Sequence, residues 1–241
     1  MDFNSINQNS GLQTDTFKYA PAAEKSMIKA VLFDFDGVIV DSLNYAFENL
    51  NKILKKFKIK PLKDINEFKS LRKKTIMDLF KQKNPNFIKK IAILTYSFLV
   101  FSRNFDPPLK HGIKTLVEKL NKQGIDLIIV SNNFKTIIKR ILKKHDILKY
   151  FKEIKGFSLT SHKDKRIRKI LEKRKLKSQE CIFITDGIDD LEYGNKIRGL
   201  IKIGICDGFS TEEDIIYNNP ECYACSIREL SGLLNKILNM K

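Results

Sequence analysis

No apolar stretch of this chain approaches the roughly 20 residues needed to span a bilayer. The longest candidate, Ile91 to Phe101, is only a helix-sized run. Cysteine is scarce, confined to Cys181, Cys206, Cys222 and Cys225. Cys222 and Cys225 form a CxxC, but no second ligand pair accompanies them, and their spacing on a strand would turn them to opposite faces. Four structural thiols in a reducing compartment are therefore expected, in place of a zinc site. Residues 1–26, rich in Asn, Gln, Ser and Thr, lack the basic start and apolar block of a secretory signal. They are expected to form a flexible N-terminal extension of a cytoplasmic protein. No internal repeat is present.

Acidic residues are outnumbered, with 28 Asp and Glu against 45 Lys and Arg, for a formal net charge of +17. Such a charge permits binding to nucleic acid or anionic membranes without demanding either. The basic residues are mostly Lys, spread over every predicted helix face beside abundant Ile and Asn, as a broad compositional bias would leave them. No basic patch interleaved with aromatics is present, so neither nucleic acid nor membrane is the expected partner. A small anionic substrate would be drawn to the same surface. At 241 residues and 42% hydrophobic content, the chain can bury one substantial core.

Strand-length apolar runs occur at Ile28 to Phe35, Ile125 to Val130, Cys181 to Thr185 and Leu200 to Cys206, with weaker ones near Glu153 to Phe157 and Cys222 to Cys225. Helical patterns separate them, over His111 to Lys122, Phe134 to Lys144, Asp164 to Leu176, Asp190 to Ile197 and Arg228 to Leu238. Alternation of strands that are apolar on both faces with amphipathic helices predicts an α/β fold, a parallel sheet with helices on both faces. From Asp41 to Pro107-Pro108 the alternation stops. An N-cap at Asp41 or Ser42 is followed by helical stretches at Tyr45 to Phe57, Ile65 to Phe68, Thr75 to Gln82 and Pro85 to Phe101, with no strand between them. An all-helical insert after the first strand is predicted.

The first strand delivers Asp34 and Asp36 onto Gly37. Alternation brings both carboxylates out on one side, where pairing ends, and two such groups need a cation or another partner. In an open parallel sheet, ligands bind beyond the carboxyl ends of the strands. The second strand ends there in Ser131-Asn132-Asn133, and the fourth in Thr185-Asp186-Gly187-Ile188-Asp189-Asp190. Between them Leu159 to Asp164 opens a helix, with Ser161 and Asp164 spaced for a capping box that puts Lys163 in the first turn. The helix dipole disfavours a cation there, so an anion should offset it. A carboxylate nucleophile, a neighbouring acid, a hydroxyl donor, a cation and an acidic cluster able to hold Mg2+ together suit phosphoryl transfer.

These four clusters resemble the four motifs of the haloacid dehalogenase superfamily, over a region from about Met27 to the C-terminus. The resemblance implies a Rossmann-like core at 27–42 and 107–241, with a small helical cap at 43–106. It implies that Asp34 attacks phosphorus to give an aspartyl-phosphate, while Asp36 protonates the leaving oxygen and later activates water. Mg2+ would be held by Asp34, the carbonyl of Asp36 and Asp186, with Asp190 orienting the metal shell or Lys163. Gly37, Ser131, Asn132 and Lys163 would hold the phosphoryl group. In the cap, Leu71 to Ile76 resembles a segment that reaches the distal end of the substrate, which makes Arg72 and Thr75 candidates, with Lys69 beside them. The stretch Gly204 to Asp214 resembles the loop after the last core strand in phosphoglycolate phosphatase-like members.

An acid at Asp36 points to phosphatases or phosphomutases within the superfamily. The expected function is a Mg2+-dependent phosphatase for a small phosphorylated metabolite, acting as a monomer or homodimer. The alternatives are a hexose-phosphate mutase and a basic nucleic-acid-binding or regulatory protein with a vestigial site. Two residues depart from the family pattern, Thr185 where Gly is usual and Gly187 where Ser or Thr is common.

Overall fold

The central sheet has six parallel strands in the order β3-β2-β1-β4-β5-β6. The structure, a computed structural model, describes residues 27–72, 105–158 and 161–238. The strands are β1 (Ala30–Phe33), β2 (Asp126–Val130), β3 (Phe151–Lys155), β4 (Cys181–Thr185), β5 (Ile201–Ile205) and β6 (Cys222–Ala224). The helices are α1 (Leu43–Lys56), α2 (Ile65–Arg72), α3 (Ile113–Lys122), α4 (Lys135–Lys144), α5 (Lys163–Arg174), α6 (Ile188–Asn195), α7 (Glu212–Tyr217) and α8 (Ile227–Leu238). Every strand expected from the sequence is present, so the α/β parallel sheet with helices on both faces is observed. Among the described residues no helix is long and apolar enough to cross a membrane.

Alternation along the strands explains the layers. Val31 and Phe33 of β1 join a core completed by Leu116 and Leu120 of α3, Ile138 and Ile141 of α4, and Leu230 and Leu234 of α8. Ala30 and Leu32 point the other way, into a second core with Phe183 of β4 and Ile167 and Ile170 of α5. A strand buried on both faces must be apolar at every position, which is why Ala30–Phe33 reads as an unbroken run. A third cluster joins Ile53, Leu54, Ile59, Leu62 and Phe68, from α1, α2 and their connection, to Phe209 of the segment after β5. The expected helices at 75–82 and 85–101, and the extension at 1–26, lie outside the described residues.

Three expectations are corrected. Cys206 and Cys225 form a disulfide, while Cys181 and Cys222 are free and buried. The CxxC spacing concealed this, because Cys225 lies just past the end of β6 and meets Cys206, just past the end of neighbouring β5. The capping box at Ser161 and Asp164 does not form. His162 is the N-cap of α5, without a side-chain cap bond, and the Ser161 hydroxyl turns to the His162 carbonyl instead. The stretch ending at Asp214 is only partly a loop. Glu212 begins α7, which is capped by the Thr211 hydroxyl accepting from the Asp214 N–H.

Leu32 lies fully buried in the second core. Leu32→Ala should lower unfolding free energy by about 2–5 kcal/mol, read as a reduced urea midpoint at unchanged slope.

Candidate active site

The order of the strands reverses direction around β1: the chain runs outward through β2 and β3, then returns to β4 on the other side of β1. Loops leaving β1 and β4 therefore diverge, opening a crevice at their carboxyl ends. Asp34 stands at that point, its N–H donating to the Ile184 carbonyl of β4 at 2.8 Å. Beyond it the chain turns at Gly37, with φ of 74°, and the Gly37 N–H closes the turn on the Val40 carbonyl at 2.9 Å. Across the crevice, Asp186 follows β4 and is fully buried.

The crevice is organised by a buried cation. Lys163, 1% exposed, reaches from the first turn of α5 to Oδ2 of Asp34 at 2.7 Å and Oδ2 of Asp190 at 2.5 Å. Two carboxylates thus meet the need for an anion near a cation at a helix N-terminus. Burial alone would lower the Lys163 ammonium, yet Asp190 and Asp34 raise it above its ordinary value, so it stays charged. Asp190 is held below the usual carboxylate range. Burial opposes this, but the charge and hydrogen bond of Lys163 and the hydroxyl of Thr185 prevail. For Asp34, burial pushes the carboxyl well above its usual range, Lys163 opposes the shift, and Asp190 and Asp186 add to it.

Asp186 is gripped from the segment after β5. The Phe209 N–H donates to its Oδ2 at 2.8 Å, and the Ser210 hydroxyl donates to its carbonyl at 2.5 Å. Two glycines make room for its carboxylate: a Cβ on Gly37 would lie 2.0 Å from Asp186 Oδ2, and one on Gly208 would lie 2.5 Å away. Thr185, the larger residue where Gly is usual, is not a spectator. Its hydroxyl donates to Asp190 Oδ2 at 3.1 Å and accepts from the Gly187 N–H at 3.1 Å. A hydroxyl absent at Gly187 is thus supplied from the other side of Asp186.

Ser131 is buried at the end of β2, its N–H held by the Lys155 carbonyl of β3 at 2.9 Å, while Asn132 is exposed at the crevice. Asp36 is approached by Asn133, whose Nδ2 donates to Asp36 Oδ2 at 3.2 Å. The structure therefore brings Asp34, Asp36, Gly37, Ser131, Asn132, Lys163, Asp186 and Asp190 to one end of the sheet. Arg72 ends α2, its side chain outside what the structure describes, and Thr75 lies outside the described residues. Lys69 does reach the crevice, lining a cavity of about 420 Å³ with Asn132, Asp190, Tyr193, Phe209 and Ser210. Sequence reasoning missed the contacts of Asn133, Thr185, Phe209 and Ser210. Only adjacency to the four clusters could have pointed to them.

The donors at this end suit a hard divalent cation. Among the described residues no three His, Cys, Asp or Glu side chains gather as a ready metal cage. Mg2+ requires less, because it retains several waters and binds through one or two carboxylates plus substrate oxygens. Asp34, Asp186 and the Asp36 carbonyl would supply such an all-oxygen set, and the repulsion among Asp34, Asp186 and Asp190 is what a cation would relieve.

Removing the central cation should cost more than any surface ion pair. Lys163→Met leaves two buried carboxylates without it and should lower stability by about 3–5 kcal/mol at neutral pH, with a smaller loss at acid pH where the carboxylates protonate, measured by urea unfolding. Gly37→Ala, with no space for a Cβ at positive φ, should displace Asp186 and weaken Mg2+ binding by titration calorimetry.

Residues 31–199 match the family model of the haloacid dehalogenase-like hydrolases. A phosphoglycolate phosphatase of Vibrio parahaemolyticus is 27% identical over 121 residues, covering 49% of this chain and 53% of that protein. A 5'-nucleotidase of Pseudomonas aeruginosa is 28% identical over 126 residues, covering 51% of this chain and 57% of that protein. The chain thus spans about half the length of these curated relatives. In fold, it is similar to the crystal structure of a predicted phosphatase from Clostridium acetobutylicum, with a TM-score of 0.75 at 24% identity, covering 88% of this chain and 100% of that one. Since the family match takes in β1 through α6, with Asp34, Ser131, Lys163, Asp186 and Asp190 all inside it, the chain belongs to the haloacid dehalogenase-like hydrolases.

Proposed function

We propose that the chain is a Mg2+-dependent phosphatase that hydrolyses a small phosphomonoester, phosphoglycolate-like or sugar-phosphate-like, through an aspartyl-phosphate on Asp34. The observation that carries this reading is Lys163, fully enclosed and clamped between Asp34 and Asp190 where the sheet order reverses. A buried ammonium fixed 2.7 Å from the Asp34 carboxyl opposes the upward push of burial on that group and stands ready to take on phosphoryl oxygens. The relatives named as a phosphoglycolate phosphatase and a 5'-nucleotidase support a phosphorylated small molecule as substrate.

In this mechanism Asp34 attacks phosphorus and the ester oxygen departs with the proton of Asp36. Asp36 then removes a proton from the water that hydrolyses the acyl phosphate. Asn133, bonded to Asp36 Oδ2, holds that carboxyl in position for both transfers. Ser131, Asn132, Lys163 and the turn at Gly37 bind the phosphoryl oxygens. Asp34, the Asp36 carbonyl and Asp186 would hold Mg2+, which when bound would neutralise charge at the transferring group. Asp190 keeps Lys163 in place through the salt bridge at 2.5 Å. The insert after β1, described as far as Arg72, would close the reaction from water, with Lys69 on the side of the leaving group. A small phosphorylated metabolite of this kind accords with a cytoplasmic enzyme.

A panel of phosphomonoesters with Mg2+ tests the proposal. The wild type should release phosphate, a chelator should stop it, and Asp34→Asn should lower kcat by roughly 10³-fold or more. Because Asp34 is ionised only against burial and like charges, the same variant should melt no lower than wild type in metal-free buffer. Equal phosphate release by wild type and Asp34→Asn would show that Asp34 is not the nucleophile.

A further inference from the structure

Arg166 lies one helical turn beyond Lys163 and projects from the same face of α5. It is 6% exposed, whereas Arg168 two residues on is exposed. Its Nη1 donates to the carbonyls of Ser131 at 2.5 Å and Gly156 at 2.8 Å, and its Nη2 donates to Oδ1 of Asn132 at 2.5 Å. One guanidinium therefore ties the end of β2 to the end of β3. The two ends are already tightly apposed, since a Cβ on Gly156 would lie 2.8 Å from the Asn133 carbonyl oxygen.

The bond to Asn132 has a directional consequence. A guanidinium carries donors and no acceptor, so it takes the Asn132 amide in one orientation only, oxygen inward. The Nδ2 group must then face away from Arg166, and Asn132 lines the cavity together with Asp190 and Gly187. The opposite orientation would aim an acceptor oxygen at an incoming anion. We infer that Arg166 is a positioning residue, locking the Asn132 side chain so that its N–H2 group is offered to the phosphoryl oxygens while the Ser131 backbone is held fixed. This rests on the phosphatase reading for the identity of the anion. The link between Arg166 and the Asn132 amide stands apart from it.

Two readouts on the full chain test the inference. In protein labelled with ¹⁵N at Asn, the side-chain amide pair of Asn132 is assigned by its loss in Asn132→Ala. Arg166→Lys keeps the charge and removes the fork, and it should shift that pair. Arg166→Met should do the same, and the Lys variant carries the test if the Met variant does not fold. Inorganic phosphate is then titrated in the presence of Mg2+, followed by ³¹P resonance. Arg166→Lys and Asn132→Ala should each weaken binding about tenfold, and the double variant should bind less weakly than the two losses multiplied together. An unmoved amide pair, or losses that add in the double variant, would overturn the positioning role. Absence of phosphate binding and of monoester turnover in the wild type would instead sink the phosphatase reading, whatever the amide resonances show.

Discussion

The contact on which the rest of the site depends is the ammonium of Lys163 between the carboxylates of Asp34 and Asp190. Three charges enclosed together are a net burden unless each is matched, since desolvation of ions is costly and attraction offsets it only in good geometry. The geometry here is supplied by three elements: the end of β1 and the first turn of α5, seated on the apolar cores beneath, and the first turn of α6, which packs against α5 and β4. The parallel sheet acts as a jig for this cluster. Its strands are buried and rigid, so the positions of their ends are set by packing and not by the charges.

Around that cluster lies a ring of groups that do no chemistry in the proposed reaction but fix the groups that do. Phe209 and Ser210 hold Asp186, Thr185 holds Asp190, Asn133 holds Asp36, and Arg166 holds the Ser131-Asn132 turn. All but the Thr185 contact cross between elements far apart in sequence. The functional end of the sheet is therefore a network of mutual restraint, in which the order of the strands determines which loops can meet.

Much of this was legible in the sequence because it obeys short-range rules. Alternation and apolar runs marked all six strands, and strand ends marked Asp34, Ser131 and Asp186, since a carboxylate or hydroxyl terminating a buried strand stands out. The rest was hidden for definite reasons. The Cys206–Cys225 bond joins residues 19 apart at the ends of neighbouring strands β5 and β6, and no local pattern carries such a pairing. Arg166 sits in a helix crowded with Lys and Arg, where one buried cation looks like any solvated one. The capping box failed because Ser161 and Asp164 have the required spacing, yet the helix starts one residue later than that motif needs. Arg72 was flagged by resemblance alone, and its backbone position at the end of α2 is all that accompanies it.

Phe209 joins the insert to the acidic end of the sheet. Its backbone N–H grips the Asp186 carboxylate, while its ring lies 6.0 Å from that of Phe68 in α2, inside the cluster formed with α1. One residue thus belongs at once to the hydrophobic heart of the helical insert and to the cradle of a carboxylate on the sheet. The two parts of the chain cannot shift against each other without moving Phe209, and Phe209 cannot move without loosening Asp186. Displacement of the insert is in this way converted into a change at the acidic centre, through a lever a single residue long.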